Sequence, residues 1–389
     1  MKFLKEAGFL LKQNIREYGM YIALLIIMVT FTITTDGLFI SSRNMSYLID
    51  QVGYIAVLAV GMTLVIVIRH IDLSVGYLAG FLGAVAAIML TKFGLPVIAV
   101  IPVILLFGVL IGFYNGFLVA RLGIPAFVAS LSGMLIFKGA LLQVTRGSGT
   151  IVIKNKTFNA IGNGFIPDFA NVGNIHLLTL IFGALSIGLY VLSEIKTRSN
   201  KKKYNFDVLS PGMFLVKLVF VSAVIAYITW KLANFNGFSW TVVIVVIVVG
   251  VYHFITTKTV LGRHIYAVGG NPEAAKLSGI NVKKITYVVF CSMSMLAALS
   301  GILFTSRHSS ASTTAGELFE LDAIAAAYVG GVSAAGGVGK VTGSIIGAMV
   351  MASLANGMKL MGVDEAIQYI VKGVILAAAV IFDVATRKK

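Results

Sequence analysis

Charged residues are scarce in this sequence of 389 residues. They make up 12% of the chain, whereas hydrophobic residues make up 58%. A soluble globular domain has about 25% charged residues, because charged side chains cover the surface that faces water. The low charge therefore excludes a soluble protein and indicates that lipid is the solvent for most of the chain.

Cysteine and acidic residues are also few. The single cysteine, Cys291, lies in an apolar run, which excludes an intramolecular disulfide framework and a cysteine-based metal site. Lys and Arg outnumber Asp and Glu by 31 to 15. Because these basic residues lie in short runs between apolar stretches, without interleaved aromatics, they predict contact with a lipid bilayer and no nucleic-acid partner.

The apolar stretches are long enough to cross a membrane, which takes about 20 residues. The first lacks a signal-peptide cleavage pattern and is predicted to be retained. We therefore predict one all-α domain over 1–389, a polytopic transmembrane bundle of ten to twelve spans. The segment 320–338 is rich in Gly and Ala and is expected to be broken or re-entrant. The twelve candidate spans are 19–39, 53–69, 75–91, 95–120, 125–144, 176–193, 213–232, 239–256, 285–306, 320–338, 341–358 and 365–384.

The basic residues are distributed unevenly between the two sides of the predicted bundle. With both termini on one side, that side holds 20 Lys and Arg and the other holds 8. Cytoplasmic loops carry the excess of positive charge, so both termini are predicted to be cytoplasmic. The basic loop 194–212 and the longer loop 257–284 are then cytoplasmic, and the polar segment 145–175 is external.

Two parts of the chain resemble each other in the order of their motifs. Residues 72–144 contain IDLSVG, GVLIGFYNG and LGIPAF, and residues 320–384 contain ELDAIAAAYVGG, GSIIGAMVMASLANG and MGV. Each has an acidic residue, a Gly-rich helix, a Gly-xxx-Gly pair and Asn-Gly, and the two run in opposite directions through the membrane. This order predicts an inverted repeat, which is typical of transporters, although Gly-rich spans also resemble one another without common ancestry. The predicted divisions are repeat A at 53–144, inserted spans and loops at 145–256, a cytoplasmic loop at 257–284 and repeat B at 285–384.

Polar residues within or beside spans are candidates for a translocation pathway or gate. Asp72 and Ser74 lie at the start of a predicted helix that Ser74 would cap. The alternative for Asp72 is a position near the lipid headgroups, paired with Arg69. Asn115 and Asn356 occupy corresponding places in the two repeats, where an amide would bond two helices together or meet a sugar hydroxyl.

A second group of polar residues is acidic and precedes a short Gly/Ala-rich helix. Glu320 and Asp322 belong to it and are candidates for the pathway. The alternative is that they are solvated at the outer surface together with Glu317.

No motif in the sequence predicts an enzyme. The segment 330–344, GGVSAAGGVGKVTGS, resembles a phosphate-binding loop, but Ala334 and Val341 replace the Gly and the Ser or Thr that the loop requires. No pair of histidines has metal-ligand spacing, and no catalytic pair of side chains is evident. We expect no bound metal, no cofactor and no ATP hydrolysis by this chain.

The loop 262–284 reads GRHIYAVGGNPEAAKLSGINVKK and predicts a short cytoplasmic helix. Asn271-Pro272 starts a turn, and Pro suits the first helical position. Glu273 complements the helix dipole at that end, and Gly279 ends the helix. An amphipathic helix of this kind is suited to contact with a partner protein.

Glu-Ala-Ala followed after three residues by Gly resembles the coupling-helix motif of ATP-binding-cassette (ABC) import permeases. Together with IDLSVG, LGIP, ELDAIAA and GGVGKVTGS, the sequence resembles the permease family that serves ribose, xylose, galactose and branched-chain amino acids. The lengthened middle of the chain is similar to xylose-type and multiple-monosaccharide permeases. The resemblance covers most of residues 53–144 and 255–384.

The resemblance implies a function and a set of partners. The chain would be the permease subunit of a monosaccharide importer in the bacterial inner membrane, working with an ABC ATPase subunit, an extracytoplasmic sugar-binding protein and a second permease copy. An ion-coupled secondary transporter fits the inverted repeat equally well. The resemblance places five residues in the coupling helix: Pro272, Glu273, Ala274, Ala275 and Gly279.

Overall fold

The fold was analysed in a computed structural model that describes residues 15–147, 149–169, 171–172, 175–206 and 208–387. Within these ranges the chain is almost entirely helical, and four short strands form two small antiparallel pairs. In chain order the elements are α1 (Ile15–Thr34), α2 (Ser42–Val67), α3 (Val75–Thr91), α4 (Val97–Ala120), α5 (Ala126–Val144), β1 (Thr150–Val152), α6 (Lys156–Asn163), β2 (Asn171–Val172), β3 (Ile175–His176), α7 (Leu177–Lys203), α8 (Pro211–Ala233), α9 (Trp240–Lys258), α10 (Val260–Gly270), α11 (Pro272–Leu277), α12 (Val282–His308), β4 (Ser310–Ser312), α13 (Phe319–Val329), α14 (Val341–Leu360) and α15 (Glu365–Arg387).

The number of apolar helices agrees with the sequence analysis. In the described ranges, nine helices are long and apolar enough to cross a membrane, and two shorter apolar stretches, Gly19–Thr34 and Val75–Thr91, add to them. The prediction of an all-α polytopic bundle with ten to twelve spans is confirmed.

Helices α2 and α12 form the centre of the bundle. Their most apolar stretches are 83% and 67% buried, whereas those of α7, α8 and α15 are each 11% buried. Helix α12 packs against α3 and α4, and α2 packs against α13 and α14. The peripheral helices therefore present their apolar side chains outward, as expected of a protein whose solvent is lipid.

The Gly-xxx-Gly pairs allow helix backbones to approach closely. Gly108 and Gly112 on α4 lie against the backbone of α12 near Ser294 and Cys291, and Gly347 on α14 lies against the backbone of α13. A Cβ atom at any of these glycines would collide with main-chain atoms. These pairs therefore have a packing role in the bundle.

One predicted span is broken. The apolar segment 320–338 forms a helix only as far as Val329, and residues 330–340 are not helical. The 11 residues of α13 rise about 16 Å at 1.5 Å per residue, which is about half of a bilayer core. Gly330 and Gly331 directly follow the helix, and Gly331, Gly336 and Gly337 have positive φ angles that do not continue a helix. Helix α13 is therefore a half-length helix.

Two non-helical segments enter the bundle and precede the short helices. Residues 68–74 lead into α3, and residues 309–318 lead into α13. The two helices begin side by side, because Gly76 and Gly80 in the first turns of α3 face Ala315 and Gly316, where an added Cβ would collide with their carbonyl oxygens. From this junction α3 and α13 run in opposite directions. We call the contact of residues 75–80 with residues 315–320 the half-helix junction.

Several helix ends differ from the predicted spans. Helix α2 begins at Ser42 rather than residue 53, and the Ser41 hydroxyl caps it by accepting from Asn44 N at 3.4 Å. Helix α7 continues to Lys203, so the first half of the predicted basic loop 194–212 is helical. Both extensions are polar, and hydropathy therefore cannot detect them.

The bundle has two distinguishable ends. One end carries α10 and α11, and we call it the α11 end. The other, the opposite end, carries α6 and the strand pair in which Thr150 lies across from Ser312 and Val152 from Ser310.

A buried charge fastens α2, α9 and α12 together near the opposite end. The Asp50 carboxylate on α2 accepts a short hydrogen bond from the Ser239 hydroxyl at the start of α9. It also lies 3.8 Å from an Arg307 guanidinium nitrogen on α12. Asp50 is 4% exposed, so its charge depends on these two partners.

We predict that Arg307→Ala lowers stability, because it leaves the Asp50 carboxylate buried without a counter-charge. The expected loss is roughly 2–4 kcal/mol, measured as a lower melting temperature of the detergent-solubilised protein. Arg43→Ala is the control, since Arg43 is exposed and stacks on Tyr47. A melting temperature for Arg307→Ala equal to that of the control would contradict the prediction, and Asp50→Asn in the same chain should restore part of the loss.

Candidate functional site

The predicted short helix in the loop 257–284 is present as α11. The Asn271 side-chain oxygen accepts from the backbone N–H groups of Glu273 (3.0 Å) and Ala274 (3.1 Å), and Pro272 occupies the first turn. After the helix, Gly279 has φ +83°, a left-handed conformation that non-glycine residues adopt only at a cost. Capping at both ends fixes the position of this single turn.

Helix α11 presents an apolar side chain to solvent. Ala275 faces the protein and is 4% exposed, whereas Leu277 is 89% exposed. Glu273 and Ala274 are also exposed. The sequence analysis did not identify Leu277, because one leucine in a short helix is ordinarily a core residue, whereas here it lies at the surface of α11.

Arg69, in the non-helical segment 68–74, bonds this segment to the end of α10, directly before α11. Its guanidinium donates to the carbonyl oxygens of Gly269 (2.6 Å) and Gly270. These carbonyls lie at the C-terminal end of α10, where a cation is favoured by the helix dipole. Arg69 itself has φ +65°, so a non-glycine residue is held in the left-handed region at this corner.

The second non-helical segment at the α11 end, residues 330–340, is bound to the same place. Gly337 N–H donates to the Val67 carbonyl at 2.8 Å, and the Tyr266 hydroxyl on α10 donates to the Gly339 carbonyl at 2.6 Å. Helix α10 is therefore bonded to the connection before α3 and to the connection after α13.

Asp72, Ser74 and Asn115 form a buried polar cluster, and each is at most 1% exposed. One Asp72 carboxylate oxygen accepts from Ser74 N–H (2.9 Å) and the Ser74 hydroxyl (2.6 Å). The Asn115 amide on α4 donates to the Ser74 hydroxyl oxygen at 3.3 Å. Asp72 Oδ2 and Asn115 Oδ1 are buried without a hydrogen-bond partner among the described residues, which is costly.

Two expectations for this cluster were wrong. Asp72 does not pair with Arg69, because Arg69 bonds the α10 carbonyls and Asp72 bonds Ser74. Ser74 precedes α3, but its side chain makes no cap hydrogen bond, because its hydroxyl donates to Asp72 instead.

The acidic residues of α13 separate into different environments. Glu320 is 4% exposed and lies against Gly76 at the half-helix junction. Asp322 forms an ion pair of 2.8 Å with Lys372 on α15. The alternative that these residues are solvated at the surface is therefore wrong for Glu320 and holds for Glu317, which is exposed.

Asn356 lies away from the cluster and bonds two helices together. It exchanges side-chain hydrogen bonds of 2.9 and 3.1 Å with Asn44 at the start of α2. The helix-bonding alternative applies to Asn356, and Asn115 likewise bonds α4 to the segment before α3. Among the described residues, no group of three or more His, Cys, Asp or Glu side chains could hold a metal ion.

A cavity of about 310 Å³ opens near the cluster at the α11 end. Its wall is mostly apolar, with Ile124, Pro125 and Val282, and its polar side chains include His70 and Thr286. His70 is two residues from Asp72, so the cavity approaches the buried cluster from the side that carries α11.

Comparisons with known proteins place the chain among transport permeases. It is 38% identical over 376 residues to the xylose transport system permease protein XylH of Haemophilus influenzae, covering 97% of this chain and 98% of that protein. The XylH protein of Escherichia coli K12 is 39% identical over 376 residues, covering 97% and 93% of the two chains. The ribose import permease protein RbsC of Haemophilus influenzae is 34% identical over 382 residues, covering 97% and 96%.

No solved structure matches the chain significantly. The family model described as branched-chain amino acid transport system / permease component matches residues 44–380, which contain α2 through most of α15. This chain is therefore a member of the branched-chain amino acid transport system / permease component family.

Proposed function

We propose that this chain is the membrane-spanning permease subunit of an ATP-driven monosaccharide importer, with xylose as the first candidate substrate. Two relatives named for xylose transport are 38% and 39% identical to it, against 34% for one named for ribose import. The altered phosphate-binding pattern around Lys340 supports ATP hydrolysis by a separate ABC ATPase subunit.

The observation that carries this proposal is that α10 is bonded to two non-helical segments, residues 68–74 and residues 330–340. A partner that grips α11 moves the adjoining end of α10. Through Arg69, this movement reaches residues 68–74, and through Tyr266 it reaches residues 330–340. Residues 68–74 lead into α3 and residues 330–340 follow α13. One partner can therefore act on both helices that meet at the half-helix junction.

We infer that the gate lies at the half-helix junction and the adjoining cluster. Asp72, Ser74 and Asn115 lie on one side of it, and Glu320 lies on the other. The predicted inverted repeat, 53–144 and 285–384, supports this placement, since each repeat contains a helix that is preceded by a non-helical segment, α3 with 17 residues and α13 with 11. Asn356 and Asp322 then have positioning roles, because each is bonded to a neighbouring helix.

The proposed orientation places α11 and both termini in the cytoplasm of a bacterium, with the chain in the inner membrane. The distribution of 20 Lys and Arg against 8 supports it. An extracytoplasmic sugar-binding protein would deliver sugar at the opposite end. A second permease copy would cover part of the apolar surface of the peripheral helices, of which α7, α8 and α15 are the least buried.

Reconstitution into proteoliposomes tests the proposed function. The permease, its ATPase subunit and the binding protein should accumulate labelled xylose only when ATP is supplied on the α11 side. Collapse of ion gradients with ionophores should leave the initial rate unchanged. Uptake that proceeds without ATP and stops with the ionophores would instead establish an ion-coupled secondary transporter.

We predict that Leu277→Ser weakens binding of the ATPase subunit. Burial of one leucine contributes about 1.5–3 kcal/mol, so the dissociation constant should rise roughly 10- to 100-fold. Gly279→Ala should also weaken binding, because its left-handed backbone would be strained. Co-purification and surface plasmon resonance measure the effect, with Leu360→Ser at the opposite end as the control. If the ATPase subunit bound the Leu277→Ser variant and the control variant with equal affinity, α11 would not be part of the interface.

We predict that Arg69→Gln and Tyr266→Phe separate ATP hydrolysis from transport. Each removes a bond between α10 and a non-helical segment while α11 and its cap stay intact. The ATPase subunit should still bind and hydrolyse ATP, while xylose uptake per ATP falls about tenfold or more. Arg121→Gln is the matched control, since Arg121 is an exposed arginine at the same end. An unchanged ratio of uptake to hydrolysis in both variants would refute transmission through these bonds.

A further inference from the structure

A second cavity lies at the opposite end of the bundle, enclosed by α2, α13, α14 and α15. Its volume is about 180 Å³, the space of about six water molecules at roughly 30 Å³ each. Pockets for drug-sized ligands have about 300–1,000 Å³, so this cavity suits a smaller molecule. We call it the opposite-end pocket.

The lining of the opposite-end pocket combines an apolar wall with polar side chains. Tyr54 and Phe319 form part of the wall, with ring centroids 5.0 Å apart. Gln368 on α15 is 8% exposed, and its amide nitrogen donates to the Val363 carbonyl at 2.9 Å. This bond orients the side chain and leaves the amide oxygen as an acceptor.

The charges in the pocket are nearly balanced. Three carboxylates, on Glu317, Asp322 and Glu365, stand with two ammonium groups, on Lys359 and Lys372. The pair between Asp322 and Lys372, at 2.8 Å, holds two of these groups in place. A phosphate would favour an excess of positive charge, and a metal cation would favour carboxylates without lysines. A mixture of donors and acceptors beside aromatic rings suits a neutral ligand with several hydroxyl groups.

The pocket adjoins the half-helix junction. Glu317, Leu318 and Phe319 line it, and the neighbouring residues Gly316 and Glu320 contact Gly76 of α3. A molecule in the pocket therefore rests directly against the segment that begins α13. The cavity at the α11 end is larger, about 310 Å³, and mostly apolar, so it offers a sugar few hydrogen-bond partners.

We propose that the opposite-end pocket binds one monosaccharide before it crosses the half-helix junction. This proposal rests on the proposed function, since it makes the permease itself the acceptor of the delivered sugar. The opposite-end pocket hydrogen-bonds the hydroxyl groups of the arriving sugar. The mostly apolar cavity at the α11 end binds the sugar weakly and so lets it leave. The permease thereby contributes to substrate selection with a site of its own.

Transport kinetics test this proposal in the reconstituted complex. Gln368→Leu and Glu317→Ala remove hydrogen-bonding groups from the pocket. Each variant should either raise the concentration of sugar-loaded binding protein needed for half-maximal uptake at least fivefold or lower the maximal rate at least fivefold. ATP hydrolysis without binding protein should be unchanged. The controls are Ile367→Ala and Ile370→Ala, whose side chains on the same helix are 51% and 66% exposed. Wild-type kinetics in both pocket variants would overturn the pocket site while ATP-driven uptake still supports the proposed function.

Thiol labelling gives a second measurement that leaves the polar lining intact. In a chain with Cys291→Ser, Ala352→Cys places a thiol in the pocket lining. Millimolar xylose should slow its reaction with a maleimide at least threefold, whereas Leu360→Cys should react at the same rate with and without sugar. Equal rates at position 352 with and without xylose would overturn sugar binding in the pocket even when uptake is normal.

Discussion

Backbone that leaves the helical conformation within a membrane protein must find its hydrogen bonds inside the protein, because hydrocarbon offers none. Residues 68–74 and 309–318 are under this constraint, since each leads to a helix that starts inside the bundle. The carbonyl of Ile71 accepts from the Ser130 hydroxyl at 3.3 Å, and Asp72 binds the backbone of Ser74. The surrounding helices shield these groups, and α2, α12 and α14 are the most deeply buried of the nine candidate spans in the described ranges.

Glycine makes this arrangement sterically feasible. The first turns of α3 touch the segment before α13 at Gly76 and Gly80, where any side chain would meet carbonyl oxygen. The close approach replaces side-chain packing with main-chain contact at this point. Such a contact is easier to rearrange than an interlocked core, which is what the proposed gate at this junction requires.

The sequence predicts local features of the fold better than contacts between distant segments. Helix α3 matched its predicted bounds, 75–91, and the cap of α11 followed from Asn271-Pro272 and Gly279, because each depends on neighbouring residues. The Asp72 cluster depends on contact with Asn115 of α4, and the environment of Glu320 depends on Gly76, more than 200 residues away. No periodicity of the sequence reports these pairings. The start of α2 and the end of α7 were missed because a polar sequence continues a helix beyond the apolar core without changing hydropathy.

The backbone of Arg69 carries a consequence for how the protein moves. A left-handed conformation costs a non-glycine residue about 1 kcal/mol or more, and at φ +65° Arg69 is held there while its side chain is anchored to the α10 carbonyls. Withdrawal of α10 removes the anchor and lets the residue relax to an ordinary conformation. A rotation at this one residue would move the chain that follows, including Asp72, so the bond between Arg69 and α10 also determines where the buried cluster lies.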